Sequence, residues 1–255
     1  MTRSARGMWL IVSFLAAALA VLAWQKIADA RLISPVFLPG PDRAWAALTH
    51  GLTQGDLLNR WIGTIRHMFL GWLLASLVGV MIGAAIGSSE RARAYFGPIL
   101  ELMRPLPASA LVPLAISLLG LTERMVLAVI AFGALWPMLL ATVHGFAAVE
   151  PRLYEVSRAL GLSRWEQIYK ISLPSSLPDI LSGMRLGLTI ALILAVVGEM
   201  LASQEGLGNQ ILLAARSFRA ADLYAGVILL GVTGYVTALL LGAVEARLLK
   251  WRPSR

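Results

Sequence analysis

Two charged side chains, Arg104 and Glu199, stand inside otherwise apolar stretches. A charge at the centre of a bilayer costs about 2.5–3.5 kcal/mol on insertion scales, so each must face protein, water or a partner. For Arg104, near one end of its stretch, snorkelling to headgroups accounts for the charge as well as function does. For Glu199 the expectation is a hydrogen bond or ion pair with the adjoining loop rather than a gate, and its sign repels anions. Other chemistries are excluded by residue type. There is no cysteine, hence no thiolate or disulfide, and His50, His67 and His144 are too scattered for a metal cluster. The lysines are Lys26, Lys170 and Lys250, and none follows glycine, so no G-K-[ST] phosphate loop exists. No Ser/His or paired-Asp constellation lies in the apolar stretches, which argues against an enzyme. The chain itself is expected to bind no cofactor.

The elements that hold these residues are helices in lipid. Of 255 residues, 58% are hydrophobic and 14% charged, and the mean hydropathy is +0.75. A soluble domain carries roughly a quarter charged residues. Six segments are long enough to span, at about 8–28, 62–87, 98–120, 124–145, 180–202 and 222–245. Ala28-Asp29-Ala30 resembles a signal cleavage site, but the preceding apolar core is longer than such peptides carry, so the first segment reads as a retained span. With six spans both termini share a side, and 14 of the 22 Lys and Arg fall on it. That bias places the termini in the cytoplasm. The net charge of +8 fits anionic headgroups, with no need of nucleic acid.

Small residues recur every four positions: Gly71, Ala75, Gly79, Gly83 and Gly87; Gly183, Gly187, Ala191 and Ala195; Gly234, Ala238, Gly242 and Ala246. Such ridges let helices approach closely, which makes packing, not substrate contact, their expected role. Pro105, Pro107 and Pro113 free carbonyls and bend the third span. A polar pathway is therefore expected along this bend and the fifth span, with Arg104, Pro105, Pro107, Ser109, Ser117, Thr189 and Glu199 as candidate wall or gate residues. Inverted repeats, or interrupted half-helices with ion-coordinating acids, would mark a secondary transporter or channel, and neither is evident.

One polar passage, Glu155–Pro174, interrupts this pattern. Pro151 suits a first helical turn. Leu153, Val156 and Leu160 share a face, and Gly161 ends the helix in a left-handed position. Ser163 and Glu166 form a capping box that starts a second short helix, with Trp165, Ile168 and Tyr169 as its apolar side. Pro174 is expected to stop that helix, and Ser176 and Asp179 to cap the fifth span around Pro178. A folded stretch of this kind either lies on headgroups or docks a partner.

The spacing E-x5-G-x9-I-x-L-P, read as Glu155, Gly161, Ile171, Leu173 and Pro174, resembles the EAA motif of permease subunits of binding-protein-dependent ABC importers. In that family the second and third motif positions are usually alanine; here they are Val156 and Ser157. Similarity to the nitrate/sulfonate/taurine branch extends over about 33–252, through "SPVFLPGPDRAWAAL" (34–48), "ELMRPLPASALVPL" (101–114), "GEMLASQEGLGNQI" (198–211) and "LLKWRP". The resemblance implies an all-α integral membrane protein of six transmembrane helices with the type I ABC importer permease fold. It implies one polytopic domain, 1–255, with a core at about 60–250, a first span and periplasmic segment at 8–60, and a cytoplasmic loop at 146–179. In that loop Glu155, Ser157, Ala159, Leu160, Gly161, Leu162, Ser163, Ile171, Leu173 and Pro174 would form the coupling element. The implied partners are a second copy of the chain, two ATP-binding cassette subunits carrying ATP and Mg, and a solute-binding protein outside an inner membrane. The implied cargo is a small anion, taurine- or alkanesulfonate-like or nitrate-like.

Overall fold

The computed structural model describes residues 3–103 and 105–251, and every regular element among them is helical. Five helices are long and apolar enough to cross a membrane: α1 (Arg3–Asp29), α3 (Leu57–Gly87), α6 (Glu123–Ala147), the run that ends in α9 (Leu173–Ala202), and α11 (Ala220–Leu248). The third predicted span is not one helix. It is α4 (Glu90–Met103) followed, after a 3₁₀ turn at Ala108–Leu111, by α5 (Val112–Leu119), and the two parts are bent by 79°. Counted as one broken span, the pair makes six. The break has a local cause. Pro105 and Pro107 flank Leu106, each proline disfavours helix in the residue before it, and Pro107 itself is extended (φ −71°, ψ 112°). The sequence reading of a bent but continuous third helix is thus corrected to a broken one.

The core is a three-helix unit in which α3, α6 and α9 each pack against the other two. Its glycines are sites of close approach: a Cβ at Gly83 would lie 2.7 Å from Thr142 Cβ on α6, and one at Gly183 would lie 2.7 Å from Ala141 Cβ. The α3 and α9 ridges therefore press on adjacent faces of α6, sealing Met68, Ile130, Met138, Ala191 and Ala195 away from the surroundings. The third ridge behaves otherwise. A Cβ at Gly234 or Gly242 would meet nothing nearer than 3.4 Å, and Ala238 and Ala246 are exposed. Helix α11 is held instead on another face, where Ala225 and Leu229 join the apolar cluster of Leu48, Leu57, Leu207 and Ile211 and Trp61 Nε1 donates to Thr233 Oγ1 at 2.7 Å.

The bundle has two distinct ends. At one, the loop end, lie α7 (Pro151–Ala159), α8 (Arg164–Gln167) and a π-helical turn at Ile168–Ser172 leading directly into α9. At the other, the hairpin end, α9 turns at Ser203 into α10 (Leu207–Arg216), with α2 (Pro41–Thr53) packed beside α11. The run from Arg164 to Ala202 holds 39 residues. That length is about 58 Å of helix against roughly 30 Å of hydrocarbon, so its first part stands outside the bilayer.

Candidate functional site: the capped loop and the cavity above it

Short-range chemistry builds the loop. Helix α7 ends in a Schellman arrangement: Leu162 N–H donates to Ser157 O and Gly161 N–H to Arg158 O, both at 3.0 Å, with Gly161 at φ +70°. Ser163 then caps α8. Its Oγ accepts from Glu166 N–H at 3.3 Å, and its own N–H donates to Glu166 Oε2 at 2.9 Å. Lys170 Nζ donates to Glu166 Oε1 at 2.8 Å. This Lys170 contact first, and the Ser163 N–H and hydroxyl next, hold the Glu166 carboxyl down at about 2.

The loop leans on the span through a few polar contacts. Ser157 is fully buried and its hydroxyl donates to Tyr154 O at 2.8 Å, while the Tyr154 and Ser172 hydroxyls share a 2.9 Å hydrogen bond. Ser157 is therefore part of the loop's footing rather than its outer surface. Two expectations are corrected here. Pro174 does not stop α8; the chain passes through the π turn into α9 without a break. The wider turn falls where the Pro174 ring would otherwise meet the carbonyl of Lys170. Ser176 and Asp179 are not caps either, because α9 begins at Leu173 and Ser176 is buried, donating to Ser172 O at 2.8 Å.

The exposed surface of the loop carries five large apolar side chains among the charges of Arg152, Glu155, Arg158, Arg164 and Lys170. Leu153, Val156, Leu160, Trp165 and Tyr169 are all exposed, with Trp165 79% accessible. Glu155, Ala159, Gly161, Ser163 and Pro174 are exposed with them, while Leu162, Ile171 and Leu173 are half-buried beneath. The ten coupling candidates thus fall in one place, as rim and footing of a single surface.

Above the loop, a cavity of about 870 Å³ opens between α4, α6 and α9. Its polar groups are Glu101, Trp136, His144, Asp179 and Ser182. Trp136 Nε1 is buried with no hydrogen-bond partner among the described residues. Pro137 has no N–H to give the carbonyl of Gly133, and both residues line the cavity. The predicted pathway residues sit elsewhere. Pro105, Pro107 and Ser109 lie exposed at the α4–α5 bend, and their neighbours Leu106 and Ala108 reach the cavity instead. Ser117 is exposed on α5, its hydroxyl turned to Leu114 O at 2.9 Å. Thr189 is exposed on α9, donating to Arg185 O at 3.3 Å. Arg104 lies outside the described residues. Sequence reading missed Glu101, Trp136, His144 and Ser182. The available signals were Pro137 inside a span, and Asp179, Ser182, Leu186 and Ile190 at helical spacing on α9.

Glu199 belongs to the opposite end. It is wholly buried, and its carboxylate accepts from Thr64 Oγ1, Gly208 N–H and His67 Nδ1, each at 2.9 Å. Thr64 Oγ1 in turn accepts from Leu207 N–H at 2.8 Å. His67 Nε2 lies 3.9 Å from Glu123, which pairs with Arg66. Gly206 and Gly208 make room: a Cβ at Gly206 would fall on the Glu199 carboxylate. The arrangement ties α3 to the α9–α10 hairpin.

Residues 75–250 match the family described as the inner membrane component of binding-protein-dependent transport systems. A Bacillus subtilis (strain 168) protein named for aliphatic sulfonates transport as a permease is 35% identical over 237 residues, covering 93% of this chain and 86% of that protein. The taurine transport system permease protein of Escherichia coli (strain K12) is 31% identical over 241 residues, covering 91% and 87%. Among solved structures, an inward-facing conformation of the MetNI methionine ABC transporter shares the fold with a TM-score of 0.67 at 17% identity, over 75% of this chain and 95% of that one.

Proposed function

Since the chain belongs to the family of inner membrane components of binding-protein-dependent transport systems, we propose that it forms the translocation pathway of an ATP-driven importer and is driven by a separate ATPase through the loop at residues 151–174. The coarser statement, a multi-pass permease of an ABC importer with the type I fold, follows from the family and the fold. The finer reading rests on one observation: five large apolar side chains stand exposed on a loop whose shape is fixed by a Schellman turn and a capping box. Lipid headgroups would cover such a face without requiring a Schellman turn and a capping box to shape it. A groove on a partner would require both.

In this reading the permease works as a homodimer, with two ATP-binding cassettes on the loop side and a solute-binding protein on the hairpin side. The loop side and both termini are cytoplasmic. ATP and Mg belong to the cassettes. The cargo is a small sulfonate of the taurine or alkanesulfonate kind, or a nitrate-like anion. Closure of the cassettes pushes on the two loops, and the Tyr154–Ser172 contact passes that motion to α9.

Gly161→Asp tests the coupling. A Cβ at Gly161 meets nothing within 4 Å in this chain, so the substitution adds left-handed strain of about 1 kcal/mol but no internal clash. The expected outcome is a permease that inserts and folds, fails to co-purify with its ATPase and shows no ATP-driven uptake, while Gly161→Asn, which tolerates that backbone, keeps both. Normal uptake in Gly161→Asp, or full uptake by the chain alone in proteoliposomes, would overturn the reading.

A further inference from the structure

We propose that a cleft at the hairpin end, framed by Phe37 and Phe218, holds an acyl chain of a membrane phospholipid whose phosphate is met by Arg31 and Arg216. The starting observation is a residue in an unexpected place. Helix α10 ends in the same Schellman arrangement as α7: Arg219 N–H donates to Ala214 O at 2.9 Å and Phe218 N–H to Ala215 O at 3.2 Å. In α7 the left-handed position belongs to Gly161 (φ +70°); in α10 it belongs to Phe218 (φ +55°). A side chain there is strained, and a bulky one rarely stands there. Strain of this kind gathers at ligand clamps and other functional sites. Burial does not repay it, since Phe218 is 65% exposed.

What the strain achieves is the placing of a ring. Phe218 meets Phe37, itself exposed, edge to face at 6.0 Å between centroids. The two rings border a cleft of about 220 Å³, lined also by Val36, Ala214, Leu223 and Tyr224. Every lining side chain is apolar but for the Tyr224 hydroxyl. Two spans set the level of this cleft in the bilayer. Leu223 and Tyr224 belong to the first turns of α11, and Tyr224 packs on Trp24, near the end of α1, at 5.3 Å between ring centroids. Aromatic side chains at span ends mark the boundary between headgroups and acyl chains. Residues 30–38 form no helix, so their backbone stays out of the hydrocarbon. Yet Leu32, Ile33, Val36 and Phe37 are all exposed. In water that apolar surface would be unfavourable, whereas acyl chains just below would cover it. The charges agree. Arg31 and Arg216 adjoin this patch in the chain, are exposed, and have no ion-pair partner among the described residues. Arg219 is held by Asp222 at 3.2 Å. A free guanidinium suits a phosphate. This level, this lining and these charges describe a lipid rather than a water-soluble partner.

The test is photolabelling of the full chain, extracted with its partners into nanodiscs of phosphatidylethanolamine and phosphatidylglycerol. The probe is phosphatidylglycerol carrying a diazirine in one acyl chain. Loaded nanodiscs are dissolved and washed in detergent before irradiation, so that only retained lipid labels the protein, and the labelled peptides are identified by mass spectrometry. The label is expected to concentrate on residues 32–38 and 214–224. Phe218→Gly and Phe37→Ala should bring it to background, Phe218→Trp should keep it, and joint replacement of Arg31 and Arg216 by Gln should reduce it. Once fully delipidated, Phe218→Gly should melt no lower than the parent, because glycine relaxes the left-handed turn. No label retained on these peptides, an unchanged label in Phe218→Gly, or a lower melting point of that delipidated variant would each overturn the proposal. So would labelling of the same peptides by a water-soluble diazirine in place of the lipid probe, which would assign the patch to the solute-binding protein.

Discussion

The two ends of this bundle treat their carboxylates in opposite ways. At the hairpin end Glu199 is sealed and accepts three hydrogen bonds from α3 and the α9–α10 hairpin. At the loop end Glu101 and Asp179 border an open cavity, Trp136 keeps an unpartnered N–H, and five apolar side chains face outward. The helices between the ends are the same: α3, α6 and α9 run the length of both. Packing therefore does not explain the contrast. A satisfied polar cluster fixes the elements it joins, because breaking it strands buried groups. An unsatisfied one costs stability, and it marks surface that something else must complete. The molecule is locked at one end and left incomplete at the other, and the incomplete end is where the ATPase is proposed to dock.

Substitution at the lock should produce the largest effect. Glu199→Leu leaves the Gly208 N–H and His67 Nδ1 without their acceptor, while the Thr64 hydroxyl keeps only Arg60 O at 3.3 Å. Each buried donor so stranded costs about 1–3 kcal/mol, so the purified variant should either fail to fold or melt far below the parent in a detergent thermal ramp. Asp179→Asn at the other end should shift the melting point hardly at all. Equal losses at the two sites would erase the distinction drawn between them.

Gly208→Ala probes the same lock through its backbone. A Cβ there would lie 3.0 Å from Glu199 Cβ and would also press on the carbonyl of Val196. Overpacking of this kind costs about 1–3 kcal/mol, and because the strain acts on the hairpin, it should appear as faster amide exchange in α10 before α6 is touched. Gly161, by contrast, has open space around its missing side chain. Its substitution should leave the melting point almost unmoved while removing transport. A comparable loss of stability at Gly161 would show that the loop is internally packed rather than waiting for a partner.

The contrast also separates what sequence reading could reach. The loop was legible because its chemistry is local: Gly161, Ser163 and Glu166 act within six positions of one another. The spans were legible because composition alone demands lipid. Pro174 was misread because a π turn, which leaves no signature in the residue pattern, absorbs the proline. The third span was misread because two prolines two residues apart do more than bend a helix: they open it by 79°. Glu199 was flagged as needing a partner, yet its partners Thr64 and His67 lie 135 and 132 positions away. No spacing rule reaches that far. The cavity was missed for a related reason. Its polar groups come from three helices, and only their packing gives them a common interior.

The smallest effect belongs to the cap of the loop. Ser163→Ala removes the hydroxyl that accepts from Glu166 N–H, a change worth about 1 kcal/mol at most helix N-termini. The box also has a pH dependence whose direction is fixed. The Glu166 carboxyl is lowered from 4.5 to about 2, chiefly by Lys170 and then by Ser163. A depressed folded-state value means that the contribution is fully present above the unfolded value of 4.5 and is lost as pH falls from there through about 2. Between pH 7 and pH 5 the exchange protection of the Glu166 and Gln167 amides should therefore be constant once corrected for intrinsic rates, and it should decline only below that range. Ser163→Ala should lower this protection at every pH, yet leave its acid limb in place, since the Lys170 contact remains. An acid limb that vanished in the variant would assign the lowered carboxyl to the serine rather than to the lysine.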